Sequence, residues 1–158
     1  MRTLAVIALF VAMASGAIAS DDKTNWHVDL VLANLKHHKY RLPTGDFIVL
    51  ALQPMGTVST TVVYDLDAEQ LARVPGTHQN MPIVRTTLVP EKIGLLRELV
   101  SMNSIQSLPR DSGQVGLDGT ALVAVIKIGQ KTKFIGHWGT PAPAIELLYA
   151  LHARELRY

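Results

Sequence analysis

The sequence predicts an α+β domain: an antiparallel sheet of about five strands with two main helices packed on one face. Three observations predict it. Short runs rich in β-branched residues come in pairs joined by glycine-bearing turns, as in 47–65 and 120–138. Two proline-opened segments, starting at Pro90 and Pro141, repeat apolar residues at helical spacing. The strands therefore come as hairpins beside helices rather than as strand–helix–strand units.

The chain opens with Arg2, an apolar run from Leu4 to Met13, and small residues ending in Ala17-Ile18-Ala19. This is the layout of a secretory signal peptide over residues 1–19, with an A-x-A cleavage site. The apolar run is short for a membrane span, so no membrane attachment is expected after cleavage. Residues 20–158 then form a single exported domain. The chain has no cysteine. That excludes a lipoprotein anchor, disulfide staples and thiol catalysis, and leaves stability to the core. An exported cysteine-free domain suits a bacterial periplasm or exterior.

Residues 25–39 (NWHVDLVLANLKHHK) are ambiguous. Trp26, Leu30, Val31 and Leu35 approach helical spacing, whereas Val28, Leu30 and Leu32 alternate as in a strand. Phe47–Leu52 and Thr57–Asp65 read as a hairpin with a three- or four-residue turn at Pro54-Met55-Gly56. In its second strand Val58, Val62 and Tyr64 share one face, and Thr57, Ser59 and Thr61 share a face open to water. Asp67-Ala68-Glu69-Gln70 resembles a capping box opening a short helix that Pro75 and Gly76 stop. Ile83–Val89 is a strand.

Pro90 starts an amphipathic helix with Ile93, Leu96 and Val100 on its apolar face. Residues 103–119 form a long polar loop. Thr120–Ile128 and Lys131–Trp138 are strands around the Gly129-Gln130 turn, which sets Ile128 opposite Lys131 and Val125 opposite Phe134. Thr140 caps the last helix, Pro141 begins it, and Ile145, Leu148 and Leu151 form its stripe.

Charge and motifs exclude several functions. The formal net charge is +2, and charged residues make up 18% of the chain, below the usual fraction of about 25%. No nucleic-acid footprint is present, and the Lys36–Arg41 cluster reads as a solvated helix end. Six histidines lack H-x-x-x-H or HExxH spacing, so no metal site and no cofactor are predicted. Asp65–Glu69 begins like a calcium loop but has Gln70 at the sixth position and Gly76 at the twelfth. The glycines of 113–119 do not form G-x-G-x-x-G, Ser20–Lys23 matches S-x-x-K only in letters, and G-x-S-x-G is absent.

Strand alternation sends His137 and Trp138 to opposite faces. Val123, Val125, Phe134 and Trp138 make one apolar face, the expected seat of the helices. Leu122, Ala124, Ile126 and Ile135 make a second, edged by Lys131, Lys133 and His137. Either a further helix or the N-terminal segment covers this second face, or it is a partner surface. The candidate binding patch is therefore Leu122, Ile126, Lys133, Ile135 and His137. A hydrolytic site around His137, Asp118 and the preceding loop is the enzymatic alternative, and a small apolar-ligand carrier is another.

The stretches PEKIGLLRELVSMNSIQSLP, TALVAVIKIGQKTKFIGHWG and PAPAIELLYAL lie in the order helix, hairpin, helix. Over residues 80–152 this layout resembles emfourin-type protease inhibitors and related small bacterial domains. The resemblance implies binding to a protein partner, in the manner of an inhibitor or immunity protein, rather than catalysis. It carries no inhibitory residue onto this chain.

Overall fold

A computed structural model of the protein describes residues 26–54, 56–112, 119–139 and 142–156. The expected signal peptide over 1–19 and the Thr140 cap lie outside the described residues. In chain order the elements are α1 (Trp26–His37), β1 (Phe47–Pro54), β2 (Thr61–Asp65), β3 (Gln70–Val74), β4 (Val84–Thr87), α2 (Pro90–Ser101), α3 (Asn103–Gln106), β5 (Asp111–Ser112), β6 (Thr120–Ile128), β7 (Lys131–His137) and α4 (Pro143–Glu155). The α+β class holds. The sheet is larger than expected, with seven strands among the described residues in the order β4-β3-β2-β1-β6-β7-β5. Six of them pair antiparallel, and the two-residue β5 adds parallel to β7.

The helices do not share one face. One core layer joins Ile93, Leu96 and Val100 of α2, Ile105 of α3, and Ile145 and Leu148 of α4 to Ile48, Leu50, Leu122, Ala124, Ile126 and Ile135 of the sheet. The other layer seats Val28, Val31 and Leu35 of α1 on Phe47, Val49, Ala51, Val123 and Val125. Within segment 25–39, Trp26–His37 is thus a helix, buried at His27, Val28, Val31, Asn34 and Leu35 with helical periodicity. It supplies the second cover that lets β1 be apolar on both sides, with Phe47–Ala51 all buried.

Three further expectations change. Residues 67–70 form a hairpin turn and enter β3 instead of opening a helix. The Asp65 carboxylate accepts the Ala68 amide at 2.9 Å, and Glu69 adopts φ +55°. A turn and a capping box use the same residue types, and burial of Leu71, Ala72 and Val74 in the sheet decides between them. The β1–β2 connection spans residues 55–60, longer than the expected turn, and Thr61 is buried rather than facing water. Finally, α4 begins at Pro143, with Ala142 as its N-cap, two residues later than the pattern suggests. The β6–β7 register is as expected, with Ile128 opposite Lys131 and Val125 opposite Phe134.

Candidate functional site

The candidate patch lies where the helices sit. Leu122 and Ile135 are fully buried, Ile126 is 2% exposed and His137 is 6% exposed. Leu122, Ile126 and Ile135 belong to the core layer beneath α2, α3 and α4, so they are not a free surface. The helices α2 and α4 take the face that alternation leaves for a partner, because both faces of β6 are apolar and alternation alone does not say which one receives them. His137 stands opposite Leu122 on that side. The Trp138 ring lies 5.6 Å from that of His27, on the α1 side. Asp118, the other member of the hydrolytic alternative, lies outside the described residues. Among those residues no group of three or more His, Cys, Asp or Glu side chains could hold a metal ion.

The edge of the patch, unlike its centre, reaches solvent. A cleft of about 680 Å³ opens between the α2–α3 corner and the β6–β7 hairpin. Its lining comprises Arg97, Val100 and Ser101 of α2, Gln106 of α3, Ile126 and Ile128 of β6, and Lys131, Thr132 and Lys133 of β7. Val100, Ile126 and Ile128 make an apolar floor. Register places Lys131 opposite Ile128 and Lys133 opposite Ile126, so both lysines stand on the helix-covered face, above that floor.

Local chemistry fixes each wall. Arg97 donates to the Asp46 carboxylate, and to Asp67 at 2.7 Å. Asp67 also accepts the Asp46 amide at 2.8 Å, and Asp46 accepts the Gly129 amide at 2.7 Å. Helix α2, two loops and the hairpin tip therefore meet on two carboxylates. A Cβ at position 45 would come 2.0 Å from an Asp67 oxygen, so any larger residue there would push that carboxylate aside. Burial works to raise the Asp46 pKa, but the Arg97 guanidinium and the Gly129 amide outweigh it and hold the carboxyl below its usual value.

On the opposite wall Lys133 donates to the Gln106 carbonyl at 2.7 Å, and the Gln106 side chain donates to the Val100 carbonyl. Burial lowers the Lys133 pKa. Among the described residues the ion pairs engage Arg73, Lys92 and Arg97 and leave Lys131 and Lys133 without a carboxylate partner. The cleft thus offers two uncompensated ammonium groups, hydroxyl and amide donors, an apolar floor, and no lining carboxylate. Such a set attracts an anionic, partly apolar ligand.

Lys133 is the one patch residue that the cleft displays at its rim, while Ile126 contributes to the floor. The sequence had marked Lys131 only as an edge, and Arg97, Gln106 and Thr132 went unmarked. The signal for Arg97 and Gln106 was weak, because α2 and α3 bring them to the hairpin from about 20 to 35 positions earlier, whereas Thr132 sits in β7 between the two lysines. No protein-family model, curated protein or solved structure matches the chain.

Proposed function

We propose that this is an exported, non-enzymatic domain of the bacterial periplasm or exterior that binds another protein, in the manner of an inhibitor or immunity protein, and that the cleft beside the β6–β7 hairpin receives that partner. The composition of the cleft carries the reading: Lys131 and Lys133 stand above an apolar floor without a carboxylate partner, and no carboxylate lines the cleft, among the described residues. A protein surface with acidic and apolar groups complements it. The tether of Gly129 to Asp46 holds the hairpin tip in place before binding, which lowers the ordering cost. The layout resemblance to emfourin-type inhibitors points the same way.

The test is capture from the host's envelope and secreted fractions with purified protein, beside a Lys131→Glu/Lys133→Glu variant. A single stoichiometric partner held by the wild type and released by the double variant is the expected result. A partner held equally by both moves binding away from the cleft, and a folded bait that captures nothing overturns the reading. A small apolar-ligand carrier is the second reading, because the cleft volume falls in the range of small-molecule sites. Native mass spectrometry showing a retained small molecule would favour it.

A further inference from the structure

The cleft lies against an unfinished edge of the sheet. Among the described residues strand β5 pairs with β7 at Asp111–Gly136 and Ser112–His137. The Gly136 amide donates to the Arg110 carbonyl at 2.9 Å on that side. Backbone groups alternate along a strand, so residues of the same parity, Phe134 and Thr132, turn N–H and C=O toward the same edge. Among the described residues no further strand follows there, and no backbone hydrogen bond outside the β6 ladder reaches Thr132 or Phe134. Thr132 lines the cleft at this edge. The side chains of Lys131 and Lys133 flank it on one face, two positions apart.

We propose that the β7 edge at Lys131–Phe134 takes an extended segment of the partner as an added strand, with carboxylates at alternate positions i and i+2. The inference rests on the proposed function and names the chemistry of its site. Main-chain bonds to Thr132 and Phe134 would supply register, as in other cases of strand addition. Side chains two apart on one strand lie about 7 Å apart on one face, the spacing of Lys131 and Lys133, so each carboxylate meets one ammonium across the strands. Neighbouring carboxylates at i and i+1 would point to opposite faces and satisfy only one lysine.

The probes are three capped decapeptides of one Thr/Val host sequence: glutamates at the third and fifth positions, glutamates at the third and fourth, and glutamines at the third and fifth. Fluorescence anisotropy should rank the first at least tenfold tighter than the other two. Its binding should weaken as NaCl rises from 50 to 500 mM. Thr132→Pro removes an edge donor while sparing the β6 ladder, a position where strands tolerate proline. It should abolish peptide binding with little change in melting temperature. Should that variant fold poorly, amide exchange in the wild type provides the same answer: saturating peptide must protect Thr132 and Phe134.

Equal binding of the two glutamate peptides, no measurable binding of any peptide at millimolar concentration, or unchanged exchange at Thr132 and Phe134 overturns the proposal. The two readings fail separately. A captured partner that depends on Lys131 and Lys133 but not on the Thr132 amide keeps the cleft and removes the added strand. A partner indifferent to both removes the cleft itself.

Discussion

His152 should make the fold sensitive to mild acid. The residue sits on α4 with no exposed surface. Its Nε2 lies 2.9 Å from the Thr60 carbonyl, which can only accept, so Nε2 carries the proton and Nδ1 is bare. Nδ1 has no hydrogen-bond partner among the described residues. Protonation would therefore bury a charge and an unmatched donor. Burial lowers the pKa below the ordinary 6.5, and the Thr60 carbonyl only partly opposes this.

The unfolded chain thus takes up this proton first as pH falls. Stability from the neutral ring is complete above about pH 6.5 and is lost below it, until the folded pKa is reached. For a ring that stays neutral in the fold, linkage sets the loss between pH 7.5 and 5.5 at about 1.4 kcal/mol. That corresponds to a fall in melting temperature of about 5 °C for a domain of this size. Urea unfolding at fixed ionic strength across this range, for wild type and His152→Gln, isolates the effect. Glutamine keeps a donor for Thr60 and does not titrate. The variant should be less stable at pH 7.5 yet fall more slowly with acid. Equal slopes in the two proteins would refute the reasoning, whatever their absolute stabilities.

Two further outcomes follow from the ion pairs. Glu155, with its side chain 4% exposed, pairs with Arg73 at 3.3 Å and with Lys92, tying the end of α4 to β3 and α2. Glu155→Gln should cost about 2–3 kcal/mol in urea unfolding at pH 7. This lies below the cost of stranding fully buried charges, since Arg73 and Lys92 keep 18% and 24% of their side-chain surface; a cost under about 1 kcal/mol would show that both cations rehydrate freely. Asp46 is held ionised below its usual pKa of 3.8, so its contribution is present above that value and lost as pH falls through the folded pKa. Asp46→Asn should flatten the acid limb of the stability curve below about pH 4, and Asp46→Ala, which also removes the acceptor of the Gly129 amide, should weaken partner capture by freeing the hairpin tip.

Much of the fold was legible because local and tertiary preferences agree. Pro90 with Ile93, Leu96 and Val100 defines α2, and all three apolar residues are buried as their spacing implies. The Gly129 turn sets the β6–β7 register, and φ +58° at that glycine shows why the residue is needed there. The β2–β3 hairpin was not legible. Asp67, Glu69 and Gln70 serve a turn or a helix start equally well, and only the pairing of Leu71 with Tyr64 across the strands selects the turn. Segment 25–39 was undecidable for a similar reason, since Leu30 belongs both to the helical set with Trp26, Val31 and Leu35 and to the alternating set with Val28 and Leu32.

That one ambiguity governs the site. With 25–39 undecided between helix and strand, two helices are counted for two apolar sheet faces, and the cover of the second face stays open between a further helix, the N-terminal segment and a partner. With α1 in place, Val28, Val31 and Leu35 take the Val123–Val125 side, and α2, α3 and α4 are free to take the Leu122–Ile126–Ile135 side. Both faces then close, and a partner surface can emerge only where the helical cover runs out. It runs out past Val100 and Gln106, short of the hairpin tip, where Ile128 is half-buried and Lys131 exposed. The lysines that edged the apolar patch in the sequence are therefore what the fold presents, and the apolar centre is what holds them in place. Charge at this edge also keeps an unfinished strand from pairing indiscriminately with other chains. The same two ammonium groups that discourage a basic or neutral strand would select an acidic one.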